Sequence, residues 1–205
     1  MRSDISSDNG GSALKTYMDF LVQFIRKPDV FGAVAPSSQS LAKRMIEWID
    51  FDKVDVVIEY GPGSGTITRE LLKRMKPGTT FFAIEINELM IENFRNKVPG
   101  AIVYQDSVVN VRKYLEKHNK KHADVIISGL PWATFSTKLQ NEILGKTLEA
   151  LADGGGFATY AYLQGILLPA GKRFRNRLYQ DFTIVRQSSV AWSNIPPAFV
   201  YHCEK

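Results

Sequence analysis

The sequence predicts an α/β fold: a mostly parallel seven-stranded sheet with helices on both faces and an antiparallel hairpin at one edge. Three observations predict it. Short apolar runs recur along the chain, separated by amphipathic stretches with apolar residues at helical spacing. Turn and stop residues mark the boundaries, as at Pro77-Gly78, Pro99-Gly100 and Gly154-Gly155-Gly156. Strands apolar throughout, each followed by a helix, belong to a parallel sheet covered on both sides.

The strands are expected at 54–59, 80–84, 101–105, 123–128, 157–163, 182–192 and 199–202. Helices are expected at 66–75, 88–97, 109–119, 137–151 and 172–179. The last two strands flank Pro196-Pro197 and read as the edge hairpin. Upstream, residues 1–12, rich in Ser, Asp and Gly, are expected to form a disordered tail. Residues 13–50 form a helical segment and 51–205 the main domain. Over 13–26, Leu14, Tyr17, Met18, Leu21, Phe24 and Ile25 form one stripe, with Lys15, Asp19, Gln23 and Arg26 off it. That stripe either packs on the domain or lies in a lipid interface, and Phe20 and Val22 widen it towards the second reading. A loop of small residues follows at 30–38, where Ser37 or Ser38 can cap a helix over 39–49.

Composition narrows the function classes. At 205 residues with 44% apolar and 23% charged residues, the chain suits one soluble domain. The net charge of +5 is compatible with a nucleic acid, an anionic membrane surface, or neither. A single cysteine, Cys203, excludes an internal disulfide and a cysteine-cluster metal site. His118 and His122 lie in a polar run read as a solvated helix end, so no metal site is expected. No apolar stretch approaches the roughly 20 residues of a membrane span, and no secretion signal is seen, which points to the cytoplasm.

The chemistry is carried by Glu59-Tyr60-Gly61-Pro62-Gly63-Ser64-Gly65, set between a strand and a helix. Gly61, Gly63 and Gly65 permit a tight turn and close approach of a ligand, and the helix start offers free N–H groups. A dinucleotide fingerprint wants Gly at position 66, where Thr66 stands. Glu59 would repel a pyrophosphate but suits a sulfonium ligand that carries an ammonium. Glu85, at the tip of the second strand with Ile86 behind it, can accept both ribose hydroxyls, or it can be an acid at a helix N-terminus that complements the dipole. Asp106, followed by Ser107, can take the adenine amino group, cap the next helix, or do both. Ser128-Gly129-Leu130-Pro131-Trp132 ends the fourth strand, so all four elements lie where open α/β sheets bind ligands.

These residues resemble the class I, Rossmann-like S-adenosylmethionine-dependent methyltransferases, whose E-x-G-x-G-x-G and two later acids match Glu59–Gly65, Glu85 and Asp106 in order. Within that class, Phe24-Ile25-Arg26-Lys27-Pro28, Gly32–Ser38, Ser128–Pro131 and Asn194-Ile195-Pro196-Pro197-Ala198 resemble the bacterial phospholipid N-methyltransferases. The resemblance implies methylation of phosphatidylethanolamine or a related amine lipid, with S-adenosylhomocysteine as product. It also implies that the 13–27 helix docks on the anionic inner membrane, that the loop through Ser37 and Ser38 folds over the cofactor, and that no nucleic acid partner is needed. Trp132 departs from that pattern. An aromatic after Pro131 is similar to the rRNA adenine dimethyltransferases, although Ser128 stands where their Asn or Asp would be. Trp132 can wall the pocket with its π face towards a cationic head group, or be a packing residue.

A protonated amine must lose its proton before it attacks. Tyr160 and Tyr17 are the candidate orienters or bases, with Tyr162 a third. The run Lys172-Arg173-Phe174-Arg175-Asn176-Arg177 can bind lipid phosphates, chiefly through Arg173 and Arg177; it can equally serve RNA phosphates or be a solvated face. Two other functions stay open: an rRNA or nucleic-acid adenine N-methyltransferase, and a non-catalytic protein that binds S-adenosylmethionine.

Overall fold

The computed structural model describes residues 38–205; the expected tail at 1–12, the 13–27 helix, Tyr17 and Ser37 lie outside the described residues. Helix α1 (Gln39–Ile46) begins at Ser38, whose Oγ accepts from the Leu41 N–H at 3.1 Å. It is shorter than the expected 39–49 because the chain turns after Glu47. Then β1 (Val56–Tyr60), α2 (Thr66–Leu72), β2 (Thr80–Glu85), α3 (Glu88–Lys97) and β3 (Val103–Gln105) alternate. A 3₁₀ turn at Val108–Asn110 opens α4 (Val111–Lys117), and β4 (Ala123–Ser128) follows. After a second 3₁₀ turn at Trp132–Thr134 come α5 (Thr137–Ala150) and β5 (Leu151–Tyr162). A third at Gly165–Leu167 leads to α6 (Pro169–Asp181), β6 (Ile184–Gln187) and β7 (Ala198–Glu204).

The seven strands form one sheet in the order β3-β2-β1-β4-β5-β7-β6. The first five are parallel, and β7 pairs antiparallel with both β5 and β6. The expected edge hairpin is therefore present, with β7 on its inner side. Its connection spans residues 188–197 rather than a short turn, and β6 is only four residues long where 182–192 was expected. The expected turn at Gly154-Gly155-Gly156 lies inside β5. The pairing jumps from Ala123↔Leu151 to Val125↔Gly156, so the glycines form a bulge, with Gly154 at φ 74°.

Strand periodicity sorts the core into two layers. Val57, Ala83, Val125, Ile127, Ala158 and Val200 point into a cluster with Leu41, Met45 and Ile46 of α1, Leu71 of α2 and Phe94 of α3. Residues of the opposite register, such as Phe82 and Phe157, meet the other layer: Phe82 lies 6.2 Å from the Tyr114 ring of α4, and Phe157 stacks on Phe182 at 5.6 Å. His118 belongs here too. Expected at a solvated helix end, it lies parallel to Phe82 at 5.0 Å with its Nε2 3.0 Å from Tyr104 Oη. Among the described residues no helix is long and apolar enough to cross a membrane, and no group of His, Cys, Asp and Glu could hold a metal ion.

Candidate active site

Parallel β1, β2, β3 and β4 end at one edge of the sheet, and their tips carry the residues singled out in the sequence. The turn after β1 has Gly61, Gly63 and Gly65 at φ 63°, 53° and 71°, in the left-handed region that favours glycine. Gly61 N–H donates to Ile84 O of β2 at 2.9 Å, and Gly65 precedes the first turn of α2. Arg69 secures the turn through a donation to Ser64 O at 3.2 Å.

Glu59 points inward from β1 and is buried. Its Oε2 accepts from Thr68 Oγ1 of α2 at 2.6 Å, while Oε1 is buried with no partner. Burial pushes the carboxyl up to about 7, against the Thr68 hydrogen bond. An orphaned buried carboxylate oxygen costs free energy unless something cationic or hydrogen-bonding reaches it.

Glu85 ends β2, and its Oε1 accepts from the N–H groups of Ile86 (2.8 Å) and Asn87 (3.0 Å). Burial raises its pKa, opposed by the N–H groups of Asn87, Ile86 and Gly63. Asp106, after β3, is engaged on both oxygens. Oδ1 accepts from Ser107 N and Asn110 Nδ2, both at 2.7 Å; Oδ2 accepts from Tyr114 Oη at 2.7 Å and Lys113 Nζ at 3.0 Å. Burial alone would raise this carboxyl, but those four donors hold it at about 2, so it is ionised at any working pH. The 3₁₀ turn leading into α4 is capped by Ser107, not Asp106.

The loop after β4 is built around backbone. Gly129 N–H donates to Tyr60 O at 2.8 Å, and a Cβ on Gly129 would stand 2.5 Å from Gly61 O. Glycine is required there because two backbones touch. Ser128 is buried, and its Oγ accepts from Trp132 Nε1 at 3.1 Å, so its hydroxyl shapes the loop from within. Trp132 does not present an open face to a head group. It is 3% exposed and stacked on Phe174 of α6 at 4.4 Å, which makes it a packing residue. The carbonyl of Pro131 accepts from Thr134 Oγ1 at 2.7 Å. Tyr160 of β5 reaches the same loop, its Oη 3.5 Å from Gly129 O, and lies edge-on to Tyr162 at 5.5 Å.

Two more expected ligand contacts, Ser38 and Arg177, have other partners. Ser38 caps α1 and donates its N–H to Asn194 Oδ1 at 2.9 Å. Arg177 pairs with Asp181 at 2.6 Å along its own helix, whereas Arg173 is exposed. Sequence reasoning missed Thr68, Lys113 and Tyr114, whose partners carry no pattern, and gave Asn194 only as part of a resembling segment, not as a partner of Ser38. Asn87 was legible, since it stands one residue before the helix and caps it.

Residues 31–192 match the family described as ribosomal RNA adenine dimethylase. The chain belongs to this family. It is 27% identical over 194 residues to the ornithine lipid N-methyltransferase of Singulisphaera acidiphila, covering 93% of this chain and 96% of that one. It is 28% identical over 132 residues to the ribosomal RNA small subunit methyltransferase A of Thermotoga maritima, covering 64% of this chain and 45% of that one. A Streptococcus mutans protein solved in complex with SAH shares the fold, with a TM-score of 0.55, 20% identity, and coverage of 76% of this chain and 92% of that one. The protein is thus an S-adenosylmethionine-dependent methyltransferase with a Rossmann-like sheet.

The residues present fit the cofactor. In the left-handed glycine turn, Gly63 has open space where a side chain would stand, so a ligand can approach the backbone there. The unpartnered Glu59 Oε1 is where an ammonium or a hydrogen-bond donor is lacking.

Proposed function

We propose that this methyltransferase acts on the amine of a phospholipid head group, phosphatidylethanolamine or a related amine lipid such as an ornithine lipid, at a membrane surface. The observation that carries this reading is the nearly end-to-end likeness to the ornithine lipid N-methyltransferase, at 93% and 96% coverage. The site supports it. An adenine methyltransferase needs an exposed aromatic to stack its target base, and Trp132 is buried under Phe174. Residues 13–50 then serve as docking helix and cofactor lid, 51–205 as the methyltransferase domain, and the enzyme associates peripherally with the inner face of the cytoplasmic membrane.

Bound S-adenosylmethionine supplies an electrophilic methyl group on a sulfonium. The chain's own residues hold and orient. Glu59 would meet the ammonium, Glu85 with Ile86 the ribose, and Asp106 and Ser107 the adenine, and the backbone of Gly61, Gly63, Gly65, Gly129 and Leu130 would line the cleft. Tyr160, against the Gly129 carbonyl, orients the acceptor amine, with Tyr17 the second candidate. Burial raises the pKa of the Tyr162 phenol, which lies beside Tyr160. Catalysis then rests on proximity and exclusion of water.

A second reading, methylation of an rRNA adenine, is favoured by the family itself and by the Thermotoga relative. Radiolabelled S-adenosylmethionine offered with amine-lipid vesicles and with rRNA in parallel separates the two. Label in the amine lipid is the expected result. Label in rRNA alone overturns the proposal.

A further inference from the structure

Four large apolar side chains stand in solvent at one end of the sheet: Leu167 (71% exposed), Leu168 (49%), Trp192 (72%) and Ile195 (71%). Leu167 and Leu168 lie in the turn between β5 and α6, and Trp192 and Ile195 in the link between β6 and β7. The two segments leave the sheet together. Tyr162, the last residue of β5, pairs with Ala198, the first of β7, and Leu163 N–H donates to Pro197 O at 3.1 Å. Because β5 runs parallel to β4, this is also the end that carries the cofactor and acceptor loops. The turn is tied to the acceptor loop: Gln140 Nε2 donates to both Trp132 O (2.7 Å) and Ala170 O (3.1 Å).

Cations border these tips. α6 has no acid in its first turn; Lys172, Arg173 and Arg175 are exposed on it, and its one acid, Asp181, is paired with Arg177. Exposed leucines and a tryptophan flanked by cations match one environment, the surface of an anionic leaflet. There the apolar tips enter below the head groups, indole sits at the interface, and cations meet lipid phosphates. An RNA would satisfy the cations but offer the leucines nothing.

We propose that Leu167, Leu168, Trp192 and Ile195, with Lys172, Arg173 and Arg175, form a membrane-docking rim that seats the mouth of the active site on an anionic leaflet. This rests on the lipid reading above and adds a contact surface within the main domain to the docking expected of residues 13–27. Its consequence is that an acceptor lipid can present its amine to the cleft without leaving the bilayer.

The test uses the full chain and vesicles of phosphatidylcholine with or without phosphatidylglycerol. Of the three tryptophans, Trp132 is buried and Trp48 half-buried, so quenching by lipids brominated on the acyl chain reports mainly on Trp192. Quenching on anionic vesicles that is lost in Trp192→Phe is expected, as is about a tenfold weaker partition of a Leu167→Asp, Trp192→Asp double variant. Methylation of amine lipid dispersed in detergent is measured separately, since it needs no leaflet. Lipid methylated in detergent while Trp192 stays unquenched and the double variant partitions normally overturns the rim alone. Quenching without methylation of any amine lipid supports the rim and overturns the lipid reading. Three other results also overturn the rim. One is lipid-free self-association abolished by the double variant, which indicates a second copy. Another is Trp192 shielded from aqueous acrylamide without lipid, which indicates the chain's own N-terminal segment. The last is loss of RNA binding with vesicle binding intact.

Discussion

A carboxyl group placed as Glu59 is can remain buried by holding a proton or by meeting a cation. Without ligand, burial lifts its pKa from 4.5 to about 7, which shifts the balance towards the first. The native state then binds the proton more tightly than the unfolded chain does. Stability fully present below about 4.5 is therefore lost as pH rises through about 7, by an amount on the order of 3 kcal/mol. Glu59→Gln removes the ionisation. Urea unfolding of the ligand-free variant is expected to show little of this pH dependence between 5 and 8, and to exceed wild type at pH 8. Cofactor affinity should move the opposite way, weakening by about tenfold or more as a charged hydrogen bond is lost. A variant that is less stable at pH 8 and binds normally would remove Glu59 from the site.

Between elements, the decisive contact is that of the β1–α2 turn with the loop after β4. Gly129→Ala drives a Cβ to 2.5 Å from Gly61 O, so one backbone must move. Chemical denaturation should register a loss of about 1–3 kcal/mol, accompanied by a loss of cofactor affinity that calorimetry can follow. Gly145→Ala is the control. Gly145 lies inside α5 with open space around it, and the same substitution there should stabilise by about 0.5–1 kcal/mol. This contact was half legible in sequence. The Glu59–Gly65 motif and the position of Gly129 after a strand are local signals, and so are the caps at Ser38 and Asn87. The i,i+4 spacing of Arg177 and Asp181 is also a local signal, whereas the burial of Trp132 under Phe174 is a product of helix α6 docking, and no spacing rule reports it. The Gly154-Gly155-Gly156 bulge was misread because a turn and a bulge ask the same residues of the backbone.

At the scale of the whole molecule, the sheet divides its labour. On the function proposed above, β1, β2 and β3 would carry the donor side, while β5, β7 and the segments around them would border the acceptor side, with β4 between them in the sheet. A ligand that bridges the tips of β1 to β4 should therefore stabilise the cooperative unit, not one loop. At a concentration of about 100 times its Kd, S-adenosylhomocysteine should add about 2.7 kcal/mol. For a domain of this size that raises Tm by about 5–10 °C. Glu85→Ala tests whether the β2 tip takes part. If loss of its hydrogen bonds weakens binding about tenfold, the same ligand concentration should yield about half the wild-type shift in scanning calorimetry. A full wild-type shift in Glu85→Ala would mean that the carboxylate only braces the backbone N–H groups of Ile86, Asn87 and Gly63, which it already meets without ligand.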